Sequence, residues 1–487
     1  MKKFQKTIAL ILSLAVVLTV MCSCGSKKEE KKVYKDTDEH VNLVWYVSAT
    51  EPVGFAEVLE KANEYLNEKL NVTLDLRVVD SGDYETKMQL ALASGEDVDL
   101  IWTSNWKFNY ESNVLKNAFL ALDDYLDSPD LKDLKNYYSE GIWDAAKVSG
   151  KIYGMPMEQV MYNQKGLHFG DKTYLDKYGY TNYYDQVHDM DELTDLFQTI
   201  HDGEANDPSF YIISTTQTDF FIPEMTAVSS GWEINADGEV TDRRNEYDEW
   251  RYQMYDWNKR GFFPPSVTSG GDGSNLNILA SYCRYLPGAE GKAKLSDKKH
   301  RDHIVVPTTE PFMGRNGVQS TLTAVAATSK NPIRALKLLY LTHTDEYLLN
   351  LLCYGIEGRD YTKDPENPHR MNREEGGYYL AEFMIGSQFL AYLAPSYEDG
   401  VWEETKKANE EAYVDPNIGF CFDPSAVESD ISQVSAVKSE YANILGYGLQ
   451  DPDITIPEYY KKLELAGFNQ IGDEIKAQYK QWKDENK

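Results

Sequence analysis

VNLVWYVSATEPVGFAEVLEKANEYLNEKLNVTLDLRVVDSGDYETKMQLALASGEDVDLIW, residues 41–102, carries the reading that decides the fold. Val41 to Val47 is a nearly continuous apolar and aromatic run, the composition of a strand covered on both faces. Phe55, Val58, Leu59, Ala62 and Leu66 then recur at helical spacing on one face, and that pattern stops near Leu70-Asn71. From Val72 the period changes to two, with Leu74, Leu76 and Val78 alternating against Thr73, Asp75 and Arg77. A helix over 84–93 stops at Ser94-Gly95, and Val98 to Trp102 is a third strand. Strand, helix, strand, helix, strand predicts a parallel α/β sheet. Ligands of such sheets occupy the crevice beyond the carboxyl ends of the strands. Those ends are Tyr46 to Thr50 and Thr103 to Trp106, which makes Trp45, Thr103, Asn105 and Trp106 candidates for binding. Two rings there could stack a ligand, while a hydroxyl and an amide could pair with its polar groups.

Upstream, Met1-Lys2-Lys3 and Lys6 form a basic start, an uncharged run extends from Thr7 to Met21, and Cys22-Ser23-Cys24-Gly25 follows. A bilayer span needs about 20 apolar residues, so this run is short for a span and suits the core of an export signal. Small Ser23 before Cys24 and Gly25-Ser26 after it resemble the lipobox of bacterial lipoproteins. The resemblance implies cleavage after residue 23, a diacylglyceryl group on Cys24 and a place on the extracellular face of the cell membrane. An ordinary secretory signal with incidental cysteines is the alternative. Residues 24–40 are charged, with too few apolar groups to fold, and read as a tether.

The balance of 49 Lys and Arg against 79 Asp and Glu, −30 in all, excludes a nucleic-acid surface, since such binding rests on cations neutralising phosphates. Cys283, Cys353 and Cys421 lie too far apart in sequence to form a zinc motif or a disulfide framework, although one pair could bridge. The 35 Tyr, 17 Phe and 9 Trp suit sugars, whose C–H faces stack on rings while their hydroxyls need hydrogen-bond partners. A length of 487 residues exceeds what one core holds, so at least two lobes are expected. Further along, 150–156 reads as a hairpin-like approach to a strand and Asn235 to Val240 as a tight hairpin turn. Asn331 to Tyr354 reads as helix, and Phe468, Ile471, Ile475, Tyr479 and Trp482 share one helical stripe.

Several segments, in their order, are similar to family 1 extracellular solute-binding proteins of ABC importers, of the low-GC Gram-positive type. They are SGEDVDLI at 94–101, NAFLALDDYL at 117–126, KIYGMP at 151–156, NPIRALK at 331–337, NLLCYGIEGRDY at 350–361 and GFCFDPS at 419–425. Cys353 and the glycine-rich loop 269–274 depart from the pattern. The resemblance implies a two-lobed, periplasmic-binding-protein-like α/β fold with a hinge and an interlobe cleft. Its divisions would be a signal peptide at 1–23, a tether at 24–40, a first lobe at 41–155 with a return segment at about 308–345, and a second lobe at 156–307 and 346–487. Glu158, Gln159 and Tyr162 follow the lobe crossing and Gln319 the return toward the first lobe. Gln388 and Phe389 resemble a family stretch near the cleft. All six join the candidate ligand set.

Catalytic fingerprints such as a nucleophile elbow, a phosphate loop or His-Glu-x-x-His are missing from the sequence. His300-x-x-His303 sits among lysines and aspartates and reads as a solvated loop. No catalytic residue, metal or cofactor is expected. The reading is a lipid-anchored monomer that captures a carbohydrate, an oligosaccharide by preference, and hands it to ABC transporter permease subunits. A peptide- or signal-binding lipoprotein and a secreted glycoside hydrolase are the alternatives.

Overall fold

The computed structural model describes residues 34–37, 39–183, 186–214, 219–266, 276–373 and 376–485. The signal segment, Cys24, most of the tether and the loop 269–274 lie outside them.

The first sheet forms as the pattern dictates. Strand β1 (Val41–Ser48) runs parallel to β2 (Val72–Val79) in the register Val41 to Val72 through Ser48 to Val79, and parallel to β3 (Leu100–Thr103) on its other side. The helix Phe55–Leu70 crosses over between β1 and β2 and buries Phe55, Val58, Ala62 and Leu66, the stripe its spacing predicts. Each large side chain of such a stripe contributes roughly 1.5–3 kcal/mol. Asp99 closes the near end of β3, its carboxylate accepting from Val44 N at 3.0 Å. Two strands distant in sequence complete the sheet. Leu322–Val325 lies antiparallel beside β3, and Gly154–Pro156 lies antiparallel beside it.

A second sheet has the order Ile304–Pro307, Lys165–Phe169, Asn277–Arg284, Phe210–Ile213. The register decides how the two sheets meet. Leu322 faces both Thr103 and Pro156, so these three residues share one end of the first sheet. Lys165 faces Arg284 and Gly166 faces Pro307, so these share one end of the second. The chain joins the two ends twice, through 157–164 and through 308–321. The sheets therefore stand end to end across a pair of crossings, and the fold is two-lobed α/β.

Three cores result. The second centres on Phe169, Leu196, Phe197, Ile212 and Trp257. The third joins a small antiparallel sheet, Thr226–Ser229 with Trp232–Ile234 and Val240–Asp242, to the helices Glu428–Gly446, Pro452–Leu465 and Phe468–Glu485. The terminal helix buries Phe468, Ile471, Ile475 and Tyr479, with Trp482 packed alongside. Both expected turns are present. Lys147–Val148 pairs with Lys151–Ile152 around Ser149 and Gly150, both at positive φ, and Gly238 at φ 76° turns the second hairpin.

Three expectations change. The helix expected from 331 to 354 is two helices, Pro332–Thr344 and Glu346–Tyr354, because Asp345 leaves helical geometry and its carboxylate caps Leu348 N at 2.8 Å. Residues 346–392, assigned by sequence to the second lobe, place Leu348, Leu352, Tyr378, Ile385 and Tyr392 in the first core. His303 is not solvated. Its side chain is 6% exposed and its ring stacks on His168 at 5.0 Å, with the ring nitrogens 2.8 Å apart. Burial, with His303 adding to it, pushes the His168 pKa down to about 4. Among the described residues the three cysteines are free, no cluster of three or more His, Cys, Asp or Glu gathers as metal ligands would, and no helix is long and apolar enough to cross a membrane.

Candidate functional site

The crossings carry most of the site, and the loop after β3 covers them. Trp106 keeps its ring in solvent at 61% exposure, yet the ring is not free to swing. Its Nε1 donates to Ser320 O at 2.8 Å and its edge meets Trp102 at 5.5 Å and 67°. Trp102 is fully buried and in turn donates to Thr321 Oγ1 at 2.7 Å, while that hydroxyl donates to Phe383 O at 2.7 Å. One aromatic face is thus presented to solvent by a fixed frame, which limits the side-chain entropy lost on stacking a ligand.

Asn105 ties the same loop to the return crossing, donating from Nδ2 to Asn316 O at 2.9 Å and from its backbone N to Gln319 O at 2.9 Å. Gln159, on the outgoing crossing, donates to Ser320 Oγ at 3.1 Å. The helix Val401–Glu411 braces that crossing, because Asn409 donates to Gln159 O at 2.7 Å and accepts from Met161 N at 2.9 Å. Glu158 is half-buried and accepts from Tyr137 OH at 2.6 Å and from Ser387 Oγ. Its own carbonyl accepts from Gln388 N at 2.8 Å. Burial, reinforced by the Glu158 charge, pushes the Tyr137 pKa up. Phe389 is half-buried, tilted on Trp402 at 6.4 Å with Lys406 Nζ 5.1 Å above its ring.

Asn105, Trp106, Gln159 and Ser320 therefore converge, with Glu158 and Gln388 joined beside them. Four expected residues are corrected. Trp45 has no exposed surface, since β1 is the inner strand between β2 and β3 and its ring fills the first core. Thr103 is fully buried and donates to Phe108 O. Gln319 is 2% exposed and donates to Ala145 O at 2.8 Å. Tyr162 is 1% exposed and packs in the first core, its carbonyl accepting from Arg284. None of the four presents its side chain to a ligand in this structure.

Beside Asn316 a cavity of about 360 Å³ opens between the helix Tyr110–Leu115 and the strand Thr226–Ser229. Its polar lining includes Asn109, Asn163, Arg315 and Asp415, with Phe312 as an apolar face. Arg315 is held through Nε to Glu111 at 2.6 Å. Asp415 accepts from Thr226 Oγ1 at 2.6 Å and from Asn417 N at 2.8 Å, and burial pushes its pKa up. Asn163, Thr226, Phe312 and Asp415 escaped the sequence reading. They come from strand ends and loops about 250 residues apart at the extremes, and only the sheet register brings them together.

Two sheets joined by paired crossings, with a polar cleft and a presented ring between them, define the architecture of a two-lobed binding protein. The chain belongs to the bacterial extracellular solute-binding protein family, whose model matches residues 48–339. Residues 416–484, within the third core, match a domain of unknown function (DUF3502). Across 493 residues, 98% of either chain, it is 24% identical to a carbohydrate ABC transporter substrate-binding protein of Streptococcus pneumoniae serotype 4. The crystal structure of the N-glycan transport solute binding protein NgtS from Streptococcus pneumoniae superposes with a TM-score of 0.78 at 24% identity, over 92% of this chain and 100% of that one. A solute-binding protein from Bifidobacterium longum infantis, described as binding HMO, gives 0.61 at 16% identity, over 91% and 98%.

Proposed function

We propose that this protein captures an oligosaccharide outside the cell and delivers it, chemically unchanged, to the permease of an ABC importer. The observation that carries the reading is Trp106, an exposed ring locked by its own N–H beside the amides of Asn105 and Gln159. Sugars ask for this pairing of an apolar face with nearby donors and acceptors. The carbohydrate-transport description of the relative in Streptococcus pneumoniae supports the same class, as does the structure of NgtS in complex with Man5GlcNAc. Closure would dry the cleft, strengthening each hydrogen bond and penalising any ligand that leaves one unmade. Preference of the ligand for the closed form then shifts the open–closed equilibrium.

Calorimetry with neutral mono- and oligosaccharides, Man5GlcNAc among them, tests the assignment. Heat from at least one oligosaccharide is expected; heat from peptides or amino acids alone overturns it. A lipid group on Cys24 completes the proposal by holding a monomer at the membrane near its transporter. A Cys24→Ala variant should appear in the culture medium, and an unchanged membrane fraction would remove the anchor from the scheme.

A further inference from the structure

Glu224 stands just before the strand Thr226–Ser229, in a wall common to two cavities. One is the cavity of about 360 Å³ beside Asn316. The other, about 610 Å³, is bordered by Gln164, Tyr183, Thr309 and Tyr413. Phe312, on the return crossing, faces both spaces as well. The charged neighbours are engaged. Lys165 pairs with Asp219 and Arg243 with Glu233, Arg315 is held to Glu111 through its Nε, and Asp415 holds Thr226 and Asn417. Glu224 is half-buried and has no hydrogen-bond or ion-pair partner among the described residues.

A half-buried carboxylate with empty acceptors is costly unless something supplies donors. It can accept from two adjacent hydroxyls, one on each oxygen, through charge-assisted bonds, while Phe312 offers a face to the C–H side of the same ring. A ligand carboxylate placed there would meet charge of its own sign, and the cations that act on Glu224, Lys165 and Arg243, are already paired with Asp219 and Glu233. We infer that Glu224 sets specificity in the cleft, accepting from neighbouring hydroxyls of a neutral saccharide and rejecting acidic counterparts. The inference rests on the carbohydrate reading above.

A pH dependence follows from the same geometry. Burial raises the Glu224 pKa, opposed by Lys165 and Arg243 and aided by Asp219 and Glu233; Tyr247, Tyr282 and Arg284 also feel its charge. The saccharide binds the ionised form. Affinity is therefore full well above the ordinary glutamate range and falls as pH drops through the raised pKa.

The test compares wild type with Glu224→Gln by calorimetry, using Man5GlcNAc, the other neutral members of the panel and an oligosaccharide of equal length ending in a uronic acid. Losing a charge-assisted pair should weaken neutral binding by about 10- to 100-fold. It should also narrow the gap between neutral and acidic ligands and flatten the acid-side loss of affinity. Unchanged affinity and unchanged discrimination overturn the inference and leave the carbohydrate assignment standing. A wild type that binds no saccharide removes that assignment, and this inference with it. Glu224→Asp, which keeps the charge but withdraws it, is the second variant. It should keep the rejection of the acidic ligand while binding the neutral one more weakly, and an acidic ligand bound as tightly as the neutral one would overturn the inference again.

Discussion

Trp45 and Trp106 both stand near carboxyl ends of parallel strands, and their fates differ for a physical reason. Trp45 is paired on both sides, with Leu76 on β2 and Leu100 on β3, so its side chain has only the core to occupy. Trp106 lies beyond the last paired residue of β3, where Ser104, Asn105 and Lys107 carry the polar contacts and the ring is left outside. Truncation separates binding from stability here. Trp106→Ala should weaken saccharide binding by about 30-fold, or ~2 kcal/mol, while thermal unfolding records the loss of little more than one hydrogen bond, ~1 kcal/mol. Equal binding by the variant would show that the ring is not a platform. Glu158 has a structural task beside the ligand contact expected of it. Its carboxylate accepts from Tyr137 and Ser387 through one oxygen, Oε2, and so fastens 386–390 onto the crossing, a task that residue type and position do not distinguish from hydroxyl recognition.

Among elements, the ones that could be read are those whose partners are local. The stripe of the helix Phe55–Leu70 and the alternation along β2 each record a single buried face, so periodicity is enough. The terminal helix is legible for the same reason. The helix from Asn331 was overextended because Leu336, Leu339, Leu348 and Leu352 sustain an apolar pattern through Asp345, and nothing in periodicity reports a cap that restarts the count. The two antiparallel additions to the first sheet illustrate the opposite limit. Leu322–Val325 and Gly154–Pro156 are short and apolar, and the adjacency of the first to β3 and of the second to the first is a pairing choice across the whole chain. Asn409 belongs to this class as well, since a polar residue on an exposed helix gives no sign that it braces a crossing.

For the molecule as a whole, two crossings join the lobes at matched strand ends, the arrangement that domain closure about a hinge uses. Small-angle scattering should show a smaller radius of gyration when a binding oligosaccharide is added, with no change for sugars that give no heat. A single shape under every condition would set aside capture by closure. The sequence by itself determined the α/β class, the parallel start of the first sheet and the family, because each is written in short-range period, composition or ordered motifs. Tertiary structure alone decided which aromatic faces solvent, which polar groups are consumed internally and that Glu224 is left without a partner among the described residues. Those outcomes depend on how distant strand ends are brought together, and a side chain's availability is what remains after its neighbours have taken their share.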